Sequence, residues 1–325
     1  MVVIIGSLVW GLYGKLERIE QVIFLQNICY LVAIGFVLAF LYRHIKSFHF
    51  NFNVTGQLQL LRQTLPFTGL ILLTAICNRI DVVMLDFLRV DGAYQSGLYA
   101  AGYRFLDAAN MFGFLFGALL LPMYAHSYVN KKDVNELFNT AFQFLMIISI
   151  FITLILCFYG KEIFGLLYTD EYLPHYNIMV ALMLSLIPIM VAHSVGSLLV
   201  GTGRIFWMNI TYAIGIVINI ILNFIFIPKY GALGSAYTTL VTEIFLIVTS
   251  IILAKSLCNV RIHDFLLKKL LLLTSIAIVI ILIFKTYFGI YWMIQVGLIA
   301  CIYVSFLFVL KLVNIADWRR QLGES

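Results

Sequence analysis

The chain is 325 residues long, 63% hydrophobic and only 11% charged, with a formal net charge of +6. Soluble domains carry about 25% charged residues, so this composition excludes a water-soluble protein. The positive charge is no sign of nucleic acid, because in a membrane protein Lys and Arg collect in cytoplasmic loops and encode orientation.

Ten apolar segments follow along the chain, at about 1–13, 20–42, 65–88, 98–125, 139–159, 176–200, 205–227, 231–254, 268–285 and 289–311. Runs of about 18 or more apolar residues are the signature of membrane helices, and the fold class they predict is an all-α polytopic transmembrane bundle. The first run, MVVIIGSLVWGLYG, has neither the basic region nor the cleavage site of a signal peptide. It is also too short to cross about 30 Å of hydrocarbon. It reads as the second part of a helix, which predicts a chain truncated at its N-terminus.

Turn residues punctuate the other segments: Asp91-Gly92, Asn130 to Asp133, Gly201-Thr202-Gly203 and Pro228-Lys229-Tyr230-Gly231. Alternate loops differ in basic content. The set holding Arg43, Lys131, Lys255, Arg261 and Arg319 has more than twice the cations of the set holding Arg89, Lys161 and Lys229. That bias predicts a cytoplasmic C-terminus. The five cysteines stand singly inside or beside apolar runs, so neither a disulfide framework nor a metal site is expected.

The segment PFTGLILLTAICNRIDVVMLDFL, from Pro66, is the exception to simple lipid solubility, because it carries Arg79, Asp81 and Asp86. On insertion scales its Leu, Ile, Phe and Val residues return about 4–7 kcal/mol, whereas three central charges cost about 7–10 kcal/mol. The helix needs partners or water. At 100° per residue Asp86 returns to the face of Arg79, while Asp81 lies nearly opposite, on the side of Asn78. One face is expected to line a polar cavity and the other to tie the helix to a neighbour. On the next segment Arg104 and Asp107 are spaced for an intrahelical pair, with Asn110 a turn further on. Intramembrane ionisable residues default to a functional role, although snorkelling and purely structural pairing are the alternatives.

Elsewhere Glu243 is a lone carboxylate behind Thr238, Thr239 and Thr242, either protonatable or bonded between helices. Asn219 and Asn223 share a face and read as helix glue, His193 as a buried imidazole, and Gly113 and Gly117 as a close packing motif. No nucleophile elbow, P-loop or zinc-protease motif occurs. An enzyme and a cofactor are therefore not expected.

NRIDVVMLDFL with GAYQSGLYAAGYRFLDAANMF, then LLLPMYA, LLVGTGR and FIPKYGALGSAYTTLVTE, resembles the polysaccharide transporter family. This family comprises flippases for O-antigen and capsule repeat units, within the multidrug/oligosaccharidyl-lipid/polysaccharide exporter superfamily. The resemblance implies a fourteen-helix exporter of two six-helix lobes and an additional pair, of which this chain holds about ten helices. Residues 1–45 would be the last helices of the N-terminal lobe, 60–257 the C-terminal lobe, and 258–325 the additional pair and cytoplasmic tail.

It also implies translocation of an undecaprenyl-diphosphate-linked oligosaccharide to the outer leaflet of a bacterial inner membrane. A coupling cation (H+ or Na+) and other glycan-assembly proteins would be partners. Arg104 and Arg79 would hold the diphosphate, with Asn110 and Asn78 beside them. Asp81, Asp107, Asp86 and Glu243 would compensate charge or couple ions. A cation-coupled multidrug exporter shares that fold and is the nearest alternative. A polysaccharide polymerase fits less well, because the longest outer loop, about 160–175, is short; a non-transporting remnant is the third alternative.

Overall fold

The computed structural model describes residues 19–44, 54–168, 172–289, 291–310 and 312. The first apolar run, 1–13, lies outside them. The described residues form helices and one 3-10 turn, with no strand: α1 Ile19–His44, α2 Val54–Leu88, α3 Gly92–Val129, α4 Asn135–Phe158 and the short α5 Gly160–Phe164. The 3-10 turn Leu173–His175 leads into α6 Tyr176–Leu184, followed by α7 Leu186–Gly201, α8 Ile205–Cys258, α9 Asp264–Tyr287 and α10 Trp292–Val309.

Nine of the ten expected segments fall on these helices, with two differences at prolines. The single segment expected at 176–200 is two helices jointed at Ser185. Pro188 explains the joint, since its ring crowds the carbonyl four residues back. Thr153 of α4 donates to the Met183 carbonyl there, at 3.0 Å. The two segments expected at 205–227 and 231–254 run on as one long helix, α8, interrupted only at Gly231 (φ 56°, ψ −135°). A positive φ of that kind is open to glycine and strained for other residues. Each arm of α8 is longer than the roughly 20 residues a bilayer requires.

By length and composition, seven helices among the described residues can cross a membrane: Gln26–Arg43, Gly92–Val129, Asn135–Phe158, Leu173–Gly201, Ile205–Cys258, Asp264–Tyr287 and Trp292–Val309. The chain is a multi-pass integral membrane protein. Helix α2 is not among the seven, in keeping with the marginal balance of its charges. It must be held by its neighbours.

Residues 1–61 and 62–325 are separate compact units. In the first, α1 leaves most of its described side chains uncovered by the chain itself, such as Phe36 at 75%. In the second, α3 lies close along α7. A Cβ on Gly113 would meet the His193 ring at 2.5 Å and Met190 Sδ at 2.6 Å, and one on Gly117 would meet His193 Cβ at 3.2 Å. Small residues let membrane helices approach in this way, and Ser197 Oγ closes the contact on the Gly117 carbonyl at 2.8 Å.

Helices α9 and α10 dock on α4 through a small apolar cluster of Ile155, Ile281 and Ile299. Two buried hydroxyls anchor that contact: Tyr159 OH donates to Gln295 Oε1 at 2.7 Å and Tyr303 OH to the Ile147 carbonyl at 2.9 Å. Cys77, Cys157, Cys258 and Cys301 are not disulfide-bonded.

Candidate functional site

The two faces of α2 carry different chemistry. Asp81 is 1% exposed and is filled by neutral donors from three helix segments. Its Oδ1 accepts from Asn223 Nδ2 at 2.6 Å and Asn219 Nδ2 at 3.2 Å, both on the first arm of α8. Its Oδ2 accepts from Tyr99 OH on α3 and from Thr239 Oγ1 on the second arm of α8, each at 3.1 Å. A buried carboxylate is tolerable only with such a complete shell, because desolvation outweighs any single bond. Asn219 Oδ1 accepts from Asn223 Nδ2 at 2.9 Å, whereas Asn223 Oδ1 and Ser235 Oγ are buried with no partner. One of these spare oxygens, Asn223 Oδ1, belongs to a side chain that bonds the carboxylate.

Glu243, one turn beyond Thr239, is 9% exposed and makes no hydrogen bond among the described residues. Interhelical bonding to Thr or Asn, one of its two expected roles, is thus not what the structure contains.

The opposite face of α2 is open. Arg79 and Asp107 of α3 form an ion pair at 3.3 Å, with side chains 65% and 50% exposed. The Arg79 guanidinium also lies over the Tyr103 ring at 5.4 Å, a placement that favours a cation through the ring quadrupole. The intrahelical pair expected between Arg104 and Asp107 is replaced by this interhelical one. Side chains three apart on a helix compete with any partner across the contact, and here α2 brings Arg79 within reach.

Arg104 is exposed, one turn before Asp107, and Asp86 is exposed near the end of α2. Asn78 is half-buried beside Arg79. Asn110 faces α7, where its Oδ1 meets His193 Nε2 at 2.8 Å. Asp81 compensates no arginine; its partners are amides and hydroxyls. No group of three or more His, Cys, Asp or Glu side chains that could hold a metal occurs among the described residues.

The pairs Asn219/Asn223 and Thr238/Thr239 were visible in the sequence as polar positions, but nothing there joined them to Asp81. Tyr99 carried no signal at all, because a tyrosine in an apolar run is ordinarily core. The turn after α2 was equally silent about its role. Arg89 bonds Asp91 at 2.8 Å, Gln95 Nε2 bonds Asp91 Oδ2 at 2.7 Å, and Gln95 Oε1 accepts from Ala232 N at 3.0 Å. Asp91 stands outside the spanning segments, and Arg89, with help from Gln95, holds its carboxyl down at about 2.

Fold and site together define a helical membrane protein with a polar, charged seam inside its second compact unit. Residues 1–128 match the family described as "Polysaccharide biosynthesis protein". The chain is 25% identical over 209 residues to the capsular polysaccharide biosynthesis protein CapF of Staphylococcus aureus, covering 62% of this chain and 51% of that one. It is 29% identical over 268 residues to an uncharacterized membrane protein of Methanocaldococcus jannaschii, covering 75% and 58%.

The chain thus spans a little over half the length of these curated relatives. Among solved structures, the Lipid II flippase MurJ in an inward closed conformation aligns with a TM-score of 0.68 and 18% identity, over 99% of this chain and 66% of that one. That likeness shows a shared fold.

Proposed function

We propose that the protein is a flippase for lipid-linked saccharides, carrying undecaprenyl-diphosphate-linked repeat units from the inner to the outer leaflet. It would act in O-antigen, capsule or exopolysaccharide assembly in a bacterial cytoplasmic membrane, with its C-terminus in the cytoplasm. The observation that carries this reading is the two-faced helix α2: an open Arg79 on one side and a buried, fully hydrogen-bonded Asp81 on the other. A charged pair does not face lipid without great cost, so the Arg79 face belongs to a hydrated path.

Arg79 and Arg104 supply guanidinium forks suited to a diphosphate. Asp107 keeps Arg79 neutralised when no anion is bound, and Tyr103 holds its plane. Asp86 returns to that face of α2. On the other side, Asp81 with Asn219, Asn223 and Thr239 forms an oxygen-rich cage for the coupling cation. Hard cations such as Na+ are bound by carboxylate, amide and hydroxyl oxygens. Turning the two amides would present their oxygens, including the unpartnered Asn223 Oδ1, to a cation beside the carboxylate.

Glu243, close enough to Asp81 for their charges to interact, is the second acidic group on that path. The chemistry is binding and relocation of a saccharide carrier, with no bond made or broken. Other glycan-assembly proteins would deliver and receive the carrier.

The test is expression of the full chain in a strain lacking its own repeat-unit flippase. Surface glycan should return, and Arg79→Ala combined with Arg104→Ala should abolish it at unchanged membrane abundance. Lipid-linked repeat units retained in the inner leaflet, together with a gain in drug resistance, would instead indicate the multidrug reading.

A further inference from the structure

The cation cage draws its oxygens from both arms of α8: Asn219 and Asn223 precede the break at Gly231, and Thr239 follows it. Its geometry therefore depends on how that break is held. In a continuous helix the Ala232 N–H would bond the Pro228 carbonyl four residues back. Here that one bond is opened and each half is taken by a side chain from the turn between α2 and α3. Gln95 Oε1 accepts from Ala232 N at 3.0 Å, and Arg89 Nη1 donates to the Pro228 carbonyl at 3.2 Å. Asp91 joins the two side chains, at 2.8 Å to Arg89 and 2.7 Å to Gln95.

The close approach needs glycine. Gly231 has φ +56°, and a Cβ there would lie 2.5 Å from Gln95 Oε1. The same turn also feeds the cage. Gln95 and Tyr99 are one turn apart on α3, so the face that clamps the break also delivers the Tyr99 hydroxyl to Asp81. Arg89 follows directly on the end of α2, eight residues beyond Asp81.

We propose that Arg89, Asp91 and Gln95 are positioning residues, a clamp that keeps α8 open at Gly231 and so holds the two halves of the cation cage in register around Asp81. The clamp replaces a local backbone bond by contacts to the α2–α3 turn and the start of α3, which makes the placement of Thr239 relative to Asn223 a property of that turn. Its acidic member is insulated from pH in the working range, because Arg89 holds the Asp91 carboxyl down at about 2. This inference rests on the reading of Asp81 as the cation site.

The experiment uses the full chain in lipid nanodiscs and follows the thermal unfolding midpoint while Na+ is titrated in a choline background, with a parallel pH titration to read protons. Wild type should show a saturable response that Asp81→Asn abolishes. Gln95→Leu should raise the half-saturating Na+ concentration, or displace the pH response, by about tenfold, the scale of one buried hydrogen bond. Arg89→Gln should act in the same direction, which keeps the test open if Gln95→Leu folds poorly. The exchange of Asp91→Asn with Gln95→Glu keeps an acceptor for Ala232 and should bring the response back toward wild type, a rescue that general loosening of the helix would not give. A wild type indifferent to both Na+ and pH overturns the cation reading of Asp81 and the clamp's role with it. A responsive wild type whose half-saturation is unmoved by Gln95→Leu and Arg89→Gln overturns the clamp alone.

Discussion

Replacing Asp81 tests whether the buried carboxylate organises the second unit. Four donors, from Asn219, Asn223, Tyr99 and Thr239, converge on its two oxygens. In Asp81→Ala the Thr239 hydroxyl keeps the Ser235 carbonyl and the Tyr99 hydroxyl keeps Thr239 Oγ1, but the two amides face a cavity with no acceptor in place of the carboxylate. At about 1–3 kcal/mol for each buried donor left unpaired, the loss comes to about 2–6 kcal/mol. Asp81→Asn has nearly the same shape and keeps one oxygen for the two amides. Its new amide hydrogens face Tyr99 and Thr239, whose hydroxyls can rotate to accept. Its cost should stay below about 2 kcal/mol.

Reversible unfolding in mixed micelles, or steric trapping in bicelles, reads both values. Alanine and asparagine variants of equal stability would refute the reasoning, because the carboxylate would then not be what satisfies these donors.

Four further outcomes follow from other features of the structure. Gly113→Ala places a methyl within 2.5 Å of the His193 ring, so it should destabilise by about 1–3 kcal/mol. Gly297→Ala in α10, with nothing within 4 Å, should be neutral or slightly stabilising in the same thermal assay. A double-mutant cycle on Arg79 and Asp107, both more than a third exposed, should give a coupling below about 1 kcal/mol, while glycan export is lost. Asp91 has a depressed pKa, so its contribution is fully present above the ordinary carboxylate range and disappears as pH falls through about 2. The Asp91→Asn difference in unfolding midpoint should therefore be flat between pH 5 and 8 and shrink only in strong acid.

Much of the fold was legible in the residues themselves. Apolar length located nine helices, because a bilayer imposes its thickness on any segment that crosses it. Helical periodicity also separated Arg79 from Asp81 and placed them on opposite faces of α2. The partners of those charges were not legible. Arg104 and Asp107 looked paired because spacing along one helix is visible in sequence, whereas the approach of Arg79 across a helix contact is not. Asn219 and Asn223 looked like neutral glue for the same reason.

The sequence by itself determined that this is a polytopic helical membrane protein, that α2 cannot sit alone in lipid, and that a Pro-x-Tyr-Gly turn interrupts the apolar run at 228–231. Only the tertiary structure decided which residues answer these demands. It placed Tyr99, Asn219, Asn223 and Thr239 around Asp81, and it assigned the open bond at Gly231 to Arg89 and Gln95. Local sequence sets how each segment meets the membrane, through hydrophobicity and turn chemistry. The satisfaction of a buried charge or an opened backbone bond is a contact between different segments, most of them here more than a hundred residues apart, and it exists only once they pack.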